Sequence, residues 1–149
     1  MPAYSTVVVG TDGSDTSYAA VTRAAAVARA HDAGLVIVSA YHPTEKDTGP
    51  ADDALKEESH LVHGWTPAEE TLRTAADHAA RELAADRIRT TAADGDPVEV
   101  LTRAVHDNAA DLLVVGNRGL GSLVGRLLGS VPGDAARSAG VDVLIVHTT

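Results

Sequence analysis

The sequence predicts an α/β fold: one doubly wound parallel sheet with helices on both faces. Two observations predict it. Short strand-like runs alternate with longer stretches of helical period along the whole chain. Three of the strand-like runs are near-continuous Val, Leu and Ile, the mark of strands buried on both faces. The 149 residues suit one domain spanning 1–149, and a chain of this length buries enough apolar surface to need no covalent staple.

The strands are read at Ser5–Thr11, Leu35–Tyr41, Arg87–Ala93, Asp111–Gly116 and Val141–His147. The first helix runs from Asp15 to about Asp32, with Gly34 as its stop. Thr66-Pro67-Ala68-Glu69 is a capping box with proline at the first helical position, and its helix is expected to reach about Ala85. Trp65, just before that cap, reads as a hydrophobic staple. Asp96-Pro97-Val98-Glu99 repeats the device and opens a helix ending near Asn108. A last helix is expected at about Gly129–Ala139, stopped by Gly140. The one long connection, His42–Trp65, is polar and has room for a short helix at Asp52–Ser59.

Composition excludes several functions. The net charge is −9, from 21 acidic and 12 basic residues, so neither nucleic acid nor an anionic membrane surface is an expected partner. There are no cysteines, which removes disulfides, thiolate metal sites and a cysteine nucleophile. No apolar window approaches the ~20 residues that span a bilayer, and MPAYSTVVVG lacks the basic and apolar regions of a leader. A cytoplasmic protein is expected. Among seven histidines, His60 and His63 have a spacing open to a metal but no nearby third ligand. His78 and His106 fall on helices and are expected to face solvent.

Ligands of open α/β sheets bind beyond the C-terminal strand ends, where strand order reverses. Two stretches stand there: Gly10-Thr11-Asp12-Gly13-Ser14 after the first strand, and the glycine-rich run from Gly116 after the fourth. The second run is not a P-loop, because Ser122 stands where the lysine belongs. It also fails the dinucleotide fingerprint at Val124. Its full spacing is Gly116-x2-Gly119-x9-Gly129-Ser130. That places a glycine at the strand exit, one in the loop, and Gly-Ser at a helix start, where free N–H groups and a hydroxyl can bind an anion. Glycine lets the backbone close on ribose or phosphate without a Cβ. Arg118 and Arg126 either add charge to this loop or face solvent. Asp12 is open to two readings, a turn-forming residue before Gly-Ser or a carboxylate near phosphate.

The G-x2-G-x9-G-[S/T] spacing resembles the nucleotide-binding signature of the universal stress protein family. VVVGTDGSDTS, ADLLVVGNRG and VDVLIVH carry the resemblance along the whole chain. It implies a five-stranded parallel sheet in the order 3-2-1-4-5, of the adenine nucleotide alpha hydrolase-like type. It also implies a homodimer and a bound adenine nucleotide, ATP with Mg²⁺ or Mn²⁺, or cyclic AMP. SAYHP, GNRGL and GRLLGSVP look closest to a bacterial branch that binds cyclic AMP. By the resemblance, the backbone of Ala40 bonds adenine, and Gly10 and Thr11 line base and sugar. Asp12 stands near the phosphates, often through the divalent cation. Gly116, Asn117, Arg118 and Gly119 wrap ribose and phosphate, while Gly129, Ser130 and Val131 hold phosphate at the helix start. The apolar strand Val141–His147 comes last, so it is expected at a sheet edge, where two copies can pair.

Turnover is not expected. Phosphoryl transfer needs a cationic clamp and a positioned base, yet the only lysines, Lys46 and Lys56, lie in the long connection. No G-x-S-x-G elbow is present. Two alternatives to a nucleotide-binding stress regulator stay open on the sequence: a slow ATPase or phosphotransferase, and a dimeric interaction module with a vestigial pocket.

Overall fold

The computed structural model describes residues 3–41, 66–117, 135 and 137–148. Within them, one five-stranded sheet runs in the order β3-β2-β1-β4-β5, every neighbouring pair parallel. The strands are β1 Thr6–Gly10, β2 Gly34–Tyr41, β3 Ile88–Asp94, β4 Leu112–Gly116 and β5 Asp142–Val146. The helices are α1 Asp15–His31, α2 Thr66–Ala79 and α3 Pro97–Asp107, with a short 3-10 turn at Ala85–Arg87. The doubly wound parallel sheet and the strand order 3-2-1-4-5 are as expected. No helix among the described residues is long and apolar enough to cross a membrane.

The sheet has a core on each face. Val7 and Val9 of β1 pack with Ala20, Ala24, Ala25 and Ala28 of α1 and with Leu72, Ala75 and Ala79 of α2. Val8, Val36 and Val38 pack on the other face with Val100, Leu101, Ala104 and Val105 of α3 and with Ala135 and Ala139. The alternation of β1 between the two cores follows from the period of two along a strand. The alanine face of α1 lets that helix sit close against the sheet without large side chains.

Local chemistry sets most boundaries. Ser14 caps α1, its hydroxyl accepting from Ser17 N–H. Asp96 caps α3 through Val98 N–H and Glu99 N–H, with Pro97 next, as the sequence predicts. Asn108 closes α3, its side-chain amide donating to Ala104 O. Four expectations are corrected. The stop of α1 is Asp32, which takes the left-handed conformation at φ 56°, and Gly34 already belongs to β2. The second helix ends at Ala79 rather than near Ala85. Leu83 turns into the core, and Arg87, expected in β3, lies in the 3-10 turn, where it pairs with Asp32 at 2.8 Å. His78 does not simply face solvent but stacks on Tyr18, ring centroids 4.9 Å apart. His106 is exposed, as expected. The 42–65 connection, with Trp65, His60 and His63, lies outside the described residues, as does most of the predicted 129–139 helix.

At the N-terminal end of the sheet, Asp111 ties β1 to β4. Its carboxylate accepts from Ser5 N–H, Ser5 Oγ and Thr6 N–H at 3.0–3.1 Å. Desolvation works to raise its pKa, but the Thr6 and Ser5 donors together outweigh that and hold it below the ordinary 3.8. A folded-state pKa lowered in this way gives stability that is present above pH 3.8 and lost as the pH falls through the folded value. Asp111→Ala is therefore expected to cost about 1–2 kcal/mol at pH 7. Urea midpoints should show the gap from the parent closing as the carboxylate protonates.

Candidate functional site

The chain winds outward from β1 to β2 and β3, then crosses back to β4 on the other side of β1. The strand order therefore reverses between β1 and β4, and a crevice is expected above their C-terminal ends. The structure brings Gly10, Thr11, Asp12, Ala40, Gly116 and Asn117 to this end of the sheet, at or just beyond the ends of β1, β2 and β4. Arg118, Gly119, Arg126, Gly129, Ser130 and Val131 lie outside the described residues.

Ala40 is placed by strand register. The ladder between β1 and β2 runs out with the bond from Thr11 N–H to Val38 O at 2.9 Å. β2 continues to Tyr41, and there Gly95 N–H bonds Tyr41 O on the β3 side. Backbone groups alternate sides along a strand, so Val38 and Ala40 both direct N–H and C=O toward β1. At Ala40, β1 has already ended. A donor and an acceptor of one residue thus face the space above β1.

The loop after β1 is wired from within. Thr11 is 1% exposed, and its hydroxyl lies 2.7 Å from Ser17 Oγ and accepts from Gly13 N–H at 3.2 Å. Asp12 Oδ1 accepts from Ser14 N–H at 3.0 Å and Ser14 Oγ at 2.6 Å. The turn-forming reading of Asp12 therefore holds for one carboxylate oxygen, and Oδ2 has no part in those two bonds. A cation already carried by phosphates needs little more than one such protein ligand, so the residue fits a nucleotide-bound Mg²⁺ or Mn²⁺. Among the described residues no cluster of three or more His, Cys, Asp or Glu could hold a metal by itself.

Gly13 sits at φ +87°, and a Cβ there would lie 2.9 Å from Thr71 Oγ1 of α2. Gly116 differs. A Cβ there would lie 3.7 Å from Thr148 Cγ2 and 3.8 Å from Ala20 Cβ, ordinary contact distances. The first atoms a larger side chain at 116 would meet belong to the protein, in addition to whatever ligand space it would fill.

Asn117 is anchored on β5 and on the residues that follow it. Its N–H donates to Val146 O at 2.7 Å, while its Oδ1 accepts from Thr148 N–H at 2.7 Å and from Thr148 Oγ1 at 2.9 Å. Sequence reasoning missed Ser17, Thr71 and Thr148. Ser17 had a signal, since a hydroxyl in the first turn of a capped helix can reach back to the loop. Thr71 and Thr148 had none, because their partners are distant in sequence.

Known proteins agree with this architecture. The sequence model of the Universal stress protein family matches residues 3–147. Universal stress protein Rv1636 of Mycobacterium tuberculosis is 52% identical over 149 residues, covering 100% of both chains. A crystal structure of a universal stress protein in complex with cAMP superposes with a TM-score of 0.76 at 46% identity, covering 99% of each chain. Universal stress protein UspA from Lactobacillus plantarum shares the fold at a TM-score of 0.75 and 24% identity, over 96% of this chain and 97% of its own. A match that spans nearly the whole chain, with a relative identical at half its positions, leaves no second assignment: the chain belongs to the universal stress protein family.

Proposed function

We propose that this protein binds an adenine nucleotide, cyclic AMP or ATP, above the C-terminal ends of β1, β2 and β4, and acts as a nucleotide-dependent regulator rather than an enzyme. The observation that carries this reading is the aim of the Ala40 backbone past the end of β1. Adenine presents an acceptor ring nitrogen beside a donor amino group, which one residue's N–H and C=O can meet together. The glycine run that begins at Gly116, with Gly129 and Ser130, supplies the ribose and phosphate side in this reading. The relative crystallised with cAMP, 46% identical, supports the ligand class. Purified protein is expected to release an adenine nucleotide on denaturation or, if isolated empty, to take one up on dialysis. Mass spectrometry of the released small molecules tests this, and binding confined to other nucleotides would overturn it.

We further propose that the protein is a homodimer joined edge to edge through Val141–His147. β5 is an edge strand, and its Ile145 is 44% exposed. Val146 O faces β4, so the alternation turns the N–H groups of Val143 and Ile145 to the open edge. Ile145→Pro removes an edge donor and leaves the β4 ladder donors in place. It is expected to convert a dimer into monomers at micromolar concentration in light-scattering chromatography, and a wild-type monomer would contradict the proposal.

A further inference from the structure

The bond from Thr148 N–H to Asn117 Oδ1 stands where a parallel ladder would place a different bond. β4 and β5 pair through Gly116 and Val146, and Asn117 N–H continues the ladder to Val146 O. The next rung of a regular ladder would run from Thr148 N–H to the main-chain carbonyl of Asn117. Instead Thr148 N–H is taken by the Asn117 side chain at 2.7 Å, and the Thr148 hydroxyl meets the same oxygen at 2.9 Å. The side chain completes the rung, and the Asn117 carbonyl is released from the sheet. The chain therefore leaves the sheet at Asn117, one residue after β4 ends.

The same contacts fix the orientation of the Asn117 amide. A backbone N–H can only donate, so the atom facing Thr148 is the amide oxygen. Both side-chain donors then sit on Nδ2, and an oxygen-rich ligand could meet this side chain only through them. Thr148 also packs its Cγ2 toward Gly116, 3.7 Å from where a Cβ would stand. Thr148, two residues beyond β5, thus bonds Asn117 and lies beside the space a side chain at Gly116 would take.

We propose that Thr148 is a positioning residue for nucleotide binding: it holds Asn117 Oδ1, sets the point where the glycine-rich run leaves β4, and turns the Asn117 amide nitrogen into the end available to ribose or phosphate oxygens. This rests on the adenine-nucleotide reading above, and the test separates the two. Thr148→Val keeps the shape and removes the hydroxyl; Thr148→Ser keeps the hydroxyl; Asn117→Leu removes the acceptor. Cyclic AMP affinity by calorimetry is expected to fall about 3–10-fold in Thr148→Val and further in Asn117→Leu, and to be recovered in Thr148→Ser. Urea midpoints of the two threonine variants are expected to match the parent, because neither change touches the core. Hydrogen exchange without nucleotide is the second readout: the Thr148 amide, which donates to Asn117 Oδ1, is expected to be protected in the parent and to exchange several-fold faster in Asn117→Leu. If the parent binds nucleotide and Thr148→Val binds it equally well, the positioning role is overturned. If the parent binds no adenine nucleotide, the functional reading fails and the positioning role falls with it. Unchanged Thr148 amide exchange in Asn117→Leu overturns the clip itself, whatever the nucleotide result.

Discussion

Replacing Gly13 by valine should destabilise the protein by about 3–4 kcal/mol, the largest single effect expected near the site. Two costs combine. The backbone at φ +87° lies where branched side chains are rarely found, worth about 1–3 kcal/mol. The new Cβ would also sit 2.9 Å from Thr71 Oγ1, and crowding a packed contact costs a further ~1–3 kcal/mol. Thr71 is a β-branched residue on a helix, with little rotamer freedom to move away. Gly13→Ala should show the same two terms at smaller size, about 1–3 kcal/mol. Pairing it with Thr71→Ala should recover the crowding part and leave the backbone part. Urea unfolding of the two single variants and the double variant separates them, and a Gly13→Val protein as stable as the parent would contradict the geometry.

The second large effect concerns charge. ATP carries about four negative charges and cyclic AMP about one, while the site holds Asp12 and the protein carries a net −9. Repulsion in a partly desolvated crevice can reach several kcal/mol unless a cation intervenes. Cyclic AMP needs one anion site, and a helix start supplies that. Asp12→Asn keeps an Oδ1 acceptor for Ser14 N–H and Ser14 Oγ, so the turn is preserved while the charge is removed. In Mg²⁺, this variant is expected to lose at least about tenfold in ATP affinity, roughly 1.4 kcal/mol, and to keep or improve its affinity for cyclic AMP. Equal losses for both nucleotides would mean that Asp12 acts through the loop rather than through a cation.

The strands were legible because buried parallel strands write themselves as apolar runs, and VVVG, LVIVSAY and DLLVVG have no other comfortable home. The start of α3 was legible because Asp96 and Pro97 act on the backbone beside them. The end of α2 was not. Nothing in Ala79–Ala85 breaks a helix, and the turn is set by burial of Leu83 and by the pairing of Arg87 with Asp32, 55 residues away. The αL stop at Asp32 was hidden for a related reason. Gly34 is the better left-handed residue, but its backbone N–H bonds Ser5 O at the start of the sheet, so the turn falls earlier.

The site divides in the same way. Gly10 to Ser14 and the exit at Gly116 could be placed from strand ends alone. The aim of Ala40 could not, because it depends on which strand of a pair ends first. Asn117 was found as a member of the glycine-rich run, but its bonds to Thr148 span 31 residues and leave no local pattern. Side chains that shape a loop from a neighbouring strand are set by register, and register is a property of the assembled sheet.

The central claim is that this fold binds an adenine nucleotide where β1 and β4 part. Calorimetric titration of the wild-type protein with cyclic AMP and with ATP, each in Mg²⁺ and in EDTA, tests it most directly. One site per chain is expected, with cyclic AMP binding at micromolar affinity or tighter in both buffers, about −8 kcal/mol or better, and ATP binding in Mg²⁺ but much weaker in EDTA. Absence of binding by both nucleotides at about 1 mM, where even a −4 kcal/mol interaction would register, would contradict the account.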